Sequence, residues 1–238
     1  MIITIHGKDL KVLNPKTAFI LYEGAGQSFA MQHKVEVANG VPVLGAGHPA
    51  SREGLVSALT VMKQSMPYVT KILSPNILAS SPDVLIWWCA AGQHSVFSKA
   101  KATGQKSFQF HHPALVFAVA NGRLFVKTLS TNKRPDAKTK LYESPFYNCY
   151  VGGAVCTGNG RLPDTIGPDS IKHWEAFWWQ SSFTHANGTS KSLTKYPKGI
   201  DALWSDMAKG KINTFDKKWL VPTTLTLRDW VRKLSGGR

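Results

Sequence analysis

Residues 114–130, ALVFAVANGRLFVKTLS, place Asn121-Gly122 between two runs rich in Val, Leu and Phe. Asn and Gly both tolerate positive φ, so this pair suits the two-residue turn whose twist matches antiparallel strands, and a hairpin is expected here. A second apolar run, VLIWWCAA at 84–91, reads as another buried strand. Neither run approaches the ~20 apolar residues of a membrane helix, so no membrane association is expected. The chain is thereby constrained to fold around an antiparallel sheet, with consecutive strands over residues 84–128.

Strand-like patterns also occupy the first 45 residues, at 2–5, 10–13, 18–22 and in the alternating Lys34-Val35-Glu36-Val37. Helical spacing begins after residue 50. Leu55, Ala58, Leu59 and Met62 recur at i, i+3, i+4 and i+7, Glu53 sits where the helix dipole favours an acid, and Pro67 lies beyond the end. Residues 131–140 read as a loop. Past residue 166, Pro168-Asp169 opens a segment with Ile171, Trp174 and Trp178 on one face. Ile200, Leu203, Trp204 and Met207 mark another helix, stopped at Gly210, and residues 226–234 suit a last one. Strands followed by segregated helices indicate the α+β class, an antiparallel β-meander with flanking helices. The expected organisation is a β-rich extension over 1–45, a main domain over 46–210, and a basic segment over 211–238 that packs on the domain or trails from it. With 238 residues, 43% of them hydrophobic, and eight Trp, the core needs no disulfide or structural metal.

Charge is distributed unevenly along the chain. Residues 99–140 hold nine Lys/Arg against one acid, and residues 186–238 hold eleven against four. Between them, residues 141–185 hold two basic and four acidic residues. A weakly acidic segment between two basic ones favours acidic partners, either nucleic acid or an acidic protein face. Gly24-Ala25-Gly26 lacks the Lys-Ser/Thr ending of a phosphate loop, so ATP binding is not expected. His111, His112, His173 and His185 match no zinc spacing and read as structural; no metal and no cofactor are expected. The N-terminus has no apolar run of signal-peptide length, and the three cysteines are a poor disulfide framework, so a cytoplasmic location is expected.

Of those cysteines, Cys89 lies in the apolar WWCAA run and reads as an inert core residue. Cys149 follows Phe-Tyr-Asn and reads as packed. Cys156 stands in SPFYNCYVGGAVCTGNGRLP (144–163), with Gly152-Gly153 before it and Gly158 and Gly160 after it. Such a glycine-flanked loop exposes a thiol and lets a partner's backbone approach. Acyl transfer between thiols needs an accessible thiolate, and attack on a thioester builds an oxyanion that a side-chain amide can stabilise. Asn148 supplies that amide if the loop folds back beside Cys156; with Asn148 read as part of a surface loop, its replacement by Ala is expected to leave the fold intact while slowing discharge to an acceptor amine by about 10²-fold. No strong general base stands nearby in the sequence, which suits a carrier that accepts an already activated acyl group.

The segment 144–163 resembles the active-site segment of ubiquitin-conjugating enzymes. In that superfamily a His-Pro-Asn tripeptide precedes the catalytic Cys, its Asn by eight residues, with a turn glycine and an aliphatic residue before the Cys. Here Asn148 precedes Cys156 by eight, Gly153 takes the turn place and Val155 the aliphatic one. Phe146-Tyr147 stand where that superfamily has His-Pro, and an aromatic residue there can brace the loop by packing. A second resemblance is to the PRTRC system B proteins, a divergent bacterial family carried in mobile-element cassettes. It lies in VLIWWCAAG (84–92), HPALVF (112–117), Arg134-Pro135, LYESPFYN (141–148) and FWWQSSFTH (177–185). The resemblance implies a ubiquitin-conjugating-enzyme-like fold and catalytic Cys156 and Asn148. It also implies a loop formed by Phe146, Tyr147, Gly152, Gly153, Val155 and Gly158. The partners it implies are a ubiquitin-like protein, a ThiF-like activating enzyme and, in the same pathway, a JAB-type metalloprotease.

Two functions follow as expectations. One is a conjugating-type transferase that carries a ubiquitin-like protein as a thioester on Cys156, with at most weak non-specific nucleic-acid binding. The alternative is a non-catalytic basic module, on the same fold, that binds nucleic acid or protein.

Overall fold

The computed structural model describes residues 15–24, 26–65, 73–189 and 191–236. The expected strands at 2–5 and 10–13 lie outside them. The chain divides into two compact units, one up to residue 71 and one from residue 72 onward.

The first unit is a three-stranded antiparallel sheet followed by a helix. Strands β1 (Thr17–Gly24), β2 (Gln27–Ala38) and β3 (Val41–Pro49) pair in chain order. Asn39 and Gly40, with φ of 53° and 78°, turn β2 into β3. This is the same Asn-Gly chemistry as at 121–122, in a place where the sequence reading left it unused. Helix α1 (Arg52–Ser65) begins where Ser51 Oγ accepts the Gly54 N–H at 3.0 Å, which satisfies one of the orphan donors of a helix start.

The second unit is built on a six-stranded antiparallel sheet. Its strands in chain order are β4 (Ile77–Ser80), β5 (Val84–Cys89), β8 (Leu115–Ala120), β9 (Arg123–Thr128), β10 (Lys140–Tyr142) and β12 (Pro222–Thr226). Their order across the sheet is β12-β10-β9-β8-β5-β4. Ala120 pairs with Arg123 across Asn121-Gly122, whose φ values are 49° and 68°, as the turn chemistry requires. Strands β6 (Gly92–Ser98) and β7 (Ser107–His112) depart from the simple meander. They pair with each other and with a short parallel strand β11 (Ser182–Phe183) in a separate sheet, so β5 meets β8 directly. The chain is α+β, with helices α2 (Ile171–Trp179), α3 (Ile200–Ala208) and α4 (Leu227–Leu234). Residues beyond 211 do not trail away, since β12 completes the sheet edge beside β10.

Both faces of the central sheet are covered, which explains why VLIWWC and LVFAVA do not alternate with polar residues. Leu85, Trp87, Leu115, Phe117, Leu124 and Val126 join Trp174 and Trp178 of α2 and Leu203 and Trp204 of α3 in one core. Val84, Ile86, Val116 and Ala118 join Leu227 and Trp230 of α4 in the other. Arg134 fastens the sheet's far edge, donating to the carbonyls of Pro75 at 2.7 Å and Ile77 at 3.0 Å.

At the end of β7, His112 is 3% exposed and its Nδ1 lies 2.8 Å from the Pro113 carbonyl. His94 stacks on this ring and on Trp179, with centroids 5.3 and 3.9 Å away, and Trp179 also touches His112 at 4.9 Å. Burial pushes the His112 pKa down from 6.5 to about 4, and the neighbouring His94 and His111 add to the depression against the pull of the Pro113 carbonyl. A histidine held neutral in the fold contributes stability above its unfolded pKa, and that stability is lost as pH falls through the folded value. The protein is therefore expected to lose stability between pH 6.5 and 4, with up to about 3 kcal/mol of that loss due to His112. Denaturant titrations of the wild type and His112→Gln across this window check it: the variant's loss should be smaller by that share.

Candidate functional site

After β10 the chain forms a further, smaller hairpin that carries two of the three cysteines. Cys149 bridges Val155, the Tyr150 N–H donates to the Ala154 carbonyl at 2.8 Å, and the Cys156 N–H donates to the Asn148 carbonyl at 2.7 Å. The Gly153 N–H closes the turn on the Tyr150 carbonyl at 3.0 Å. These bonds pair 148 with 156, 149 with 155 and 150 with 154. A spacing of eight residues is what such a hairpin needs to set Asn148 opposite Cys156. The returning arm docks on the edge of β9 that β10 leaves unpaired: Val126 N–H donates to Gly153 O at 2.8 Å and Val155 N–H to Leu124 O at 3.0 Å. Gly153 has φ of 96°, and a methyl group on it would lie 2.8 Å from the Val126 carbonyl, so both the turn and the docking demand glycine.

An ion pair lies under the turn. Lys127 Nζ on β9 donates to Glu143 Oε2 at 2.7 Å, and that same oxygen accepts the Gly152 N–H at 3.0 Å. The Lys127 side chain is 1% exposed. Burial drives its pKa down, while the hydrogen bond and charge of Glu143 pull it back up.

Asn148 is buried, with φ of 62°, and is not part of a surface loop as its sequence context suggests. Its Nδ2 donates to the Ser182 carbonyl at 2.9 Å, and its Oδ1 accepts the Thr184 N–H at 3.1 Å and the Thr184 hydroxyl at 3.0 Å. Thr184 Oγ1 in turn lies 2.9 Å from His185 Nδ1. Because the threonine proton is given to Asn148, the histidine nitrogen donates in this chain. The carboxamide is thus held fixed, with one Nδ2 hydrogen committed to Ser182. Replacing Asn148 by Ala therefore removes support from the hairpin as well as an amide.

Phe146 and Tyr147, which precede Asn148, are fully buried. Phe146 packs on Phe110 and Trp178, with centroids 4.7 and 5.3 Å away. Tyr147 stacks on Trp204 at 4.2 Å and donates its hydroxyl to Asp201 at 2.6 Å. They anchor the hairpin's leading arm in the core.

The three thiols differ in environment. Burial pushes Cys89 up to about 11, helped by the Glu175 carboxylate, and pushes the wholly enclosed Cys149 higher still against the nearby Lys127 charge. Cys156 is partly exposed, in irregular chain just past the bridge and well before α2. It opens on a cavity of about 940 Å³ whose walls include Asn148, Val155, Gly158, Lys99, His173 and Phe177. Two residues here escaped the sequence reading. Tyr150 is on the same face of the hairpin as Cys156, diagonally across it and two rungs away, and interaction with that thiol holds its phenol above its ordinary pKa. Thr184 holds the amide of Asn148. Tyr150 was legible as the residue two past Asn148 only once the hairpin register was known; nothing local marks Thr184. Among the described residues, no group of three or more His, Cys, Asp or Glu is placed to hold a metal ion.

Residues 52–223, well over half of the chain, match the family model described as prokaryotic E2 family D. No curated protein and no solved structure matches.

If Thr184 sets the orientation of Asn148, Thr184→Val should leave the fold and the access to Cys156 intact while loosening the amide. A nitrogen-side NMR probe checks this: the two Asn148 side-chain NH₂ signals, distinct in the wild type, should shift and exchange with water faster in the variant. Unchanged signals would mean that the Ser182 carbonyl and the backbone N–H of residue 184 suffice to orient the group.

Proposed function

The chain belongs to prokaryotic E2 family D, and we propose that it is a thioester carrier for a ubiquitin-like protein, with Cys156 as the accepting thiol. The observation that carries this reading is the hairpin register, which pairs Asn148 with Cys156 beside a cavity of about 940 Å³. That cavity is large enough for an extended peptide terminus. The resemblance to the PRTRC system B proteins extends the proposal: a ThiF-like activating enzyme delivers the acyl group, a JAB-type metalloprotease acts in the same pathway, and the genes travel in a mobile-element cassette.

The chemistry is two acyl exchanges. In loading, the Cys156 sulfur attacks the thioester carbonyl on the activating enzyme; a new C–S bond forms, the old one breaks, and the departing thiolate takes up the proton that Cys156 gave to solvent. In discharge, an acceptor amine attacks the Cys156 thioester, a C–N bond forms, and Cys156 leaves as a thiolate while the amine proton passes to solvent. Both steps pass through an oxyanion, which the uncommitted Nδ2 hydrogen of Asn148 can approach. Discharge also places charge on the Cys156 sulfur, and we assign to the Tyr150 phenol, which shares that face of the hairpin, the role of donating to it.

Incubation with the activating enzyme, ATP and the ubiquitin-like protein should give an adduct on Cys156 that reductant cleaves. Cys156→Ser should give at most a reductant-stable oxyester, Cys156→Ala should give none, and Cys149→Ala should still load if it folds. Tyr150→Phe should load normally and discharge more slowly. Adduct at wild-type levels on Cys156→Ala would overturn the assignment. The two basic segments give the second reading its footing. Under the carrier reading, DNA binding should be non-specific, with Kd of ~10⁻⁴–10⁻⁶ M near physiological salt. Sequence-specific nanomolar DNA binding without any adduct would favour the non-catalytic module instead.

A further inference from the structure

A second cavity, of about 490 Å³, lies on the other flank of the cysteine hairpin, and its walls include Val151 and Gly152 of the turn and Trp230 and Lys233 of α4. Lys127 and Glu143 also line it. The buried Lys127 ammonium carries three N–H donors, yet among the described residues its hydrogen-bond partner is Glu143 Oε2 alone, an oxygen already shared with the Gly152 N–H. A buried ammonium with donors left over is costly, and the cavity is the side from which an acceptor can reach it. The exposed Lys233 stands close enough for its charge to oppose that of Lys127. Two ammonium groups therefore face the cavity against one carboxylate. Apart from Thr223 and Thr224, the rest of its lining, including Phe125, Leu225 and Leu234, is apolar. The volume falls in the range of small-molecule sites.

We propose that this cavity is a binding site for a small carboxylate with a short apolar chain, its head group between Lys127 and Lys233 and its chain against Trp230 and Val151. The carboxylate supplies the missing acceptor to Lys127 and relieves the repulsion between the two lysines. Water alone would satisfy the donors but would leave both the charge imbalance and the apolar walls without a partner. The site stands on the opposite flank of the hairpin from the cavity of Cys156 and does not depend on that thiol's role, so its test needs no conjugation partner.

The test uses hexanoate and hexanamide, which share a chain and differ in charge, titrated into the ¹⁵N-labelled full-length protein with the Gly152 amide signal as readout. The expected result is a saturable shift with hexanoate binding about tenfold or more tighter than hexanamide, in keeping with a charge-assisted hydrogen bond to a buried ammonium. Lys233→Gln, at the exposed rim, should fold normally and lower the preference for the carboxylate; Lys127→Met, where it folds, should abolish it. Equal affinity for the two probes, absence of a saturable shift at Gly152, or a preference unchanged in Lys233→Gln would each overturn the proposal.

Discussion

Glu143 Oε2 accepts from Lys127 Nζ at 2.7 Å and from the Gly152 N–H at 3.0 Å, and so ties strand β9 to the turn of the cysteine hairpin through one oxygen. Both charged residues are buried. Losing either residue strands the other as an unpaired charge, a change that typically costs about 3–5 kcal/mol. Two of the turn's residues bring no side chain with which to hold it, because Gly152 and Gly153 occupy the positive-φ positions that it requires. Its position over β9 therefore rests on this carboxylate and on the two backbone bonds to Leu124 and Val126. Everything assembled at Cys156 inherits its geometry from that attachment.

The leading arm is fixed by a different force. Phe146 and Tyr147 are locked by ring contacts with Phe110, Trp178 and Trp204 and by the Tyr147–Asp201 hydrogen bond. Where the wider superfamily has a histidine and a proline, this chain uses buried area and aromatic packing, which are worth more here because α2 and α3 close over both rings. Asn148 then stands at the boundary between core and cavity. Its backbone N–H donates to the His185 carbonyl and its side chain to Ser182, so the segment after α2 grips the hairpin as firmly as the sheet does.

Much of this was legible from local chemistry. The Asn121-Gly122 hairpin follows from φ tolerance, and α1, α2, α3 and α4 follow from apolar spacing, with Thr226 and Asp229 capping the last of them reciprocally. The α+β class follows from their order. Pairing that depends on distant chain was not legible. That β6 and β7 leave the central sheet, and that β12 returns to β10 from over eighty residues away, depends on which faces α2 and α4 cover. At the site, Cys156 stood out by its glycines and its spacing from Asn148. The burial of Asn148 did not, because its partners Ser182 and Thr184 lie in a polar stretch that carries no periodic signal. Lys127 read only as one positive charge of a basic segment; a sequence shows that a lysine is present but not that the fold has closed over it.

The register of the hairpin also decides which thiol is available. Cys149 and Val155 share a rung and face the core, while Asn148, Tyr150, Ala154 and Cys156 share the other face. A slip of one residue would exchange these faces, enclosing Cys156 and Asn148 in an apolar environment and turning Cys149 outward. Three features oppose that slip independently. Gly153 is the residue whose missing side chain admits the Val126 carbonyl, Glu143 meets the N–H of Gly152 specifically, and Tyr147 and Asn148 are each held by partners on other elements. The two cysteines are the same chemical group seven residues apart. What separates a thiol pushed far above its usual pKa from one that opens on a cavity is the side of a two-stranded turn on which each lies. The specificity of the site is therefore a property of backbone register first, and of the thiol's neighbours second.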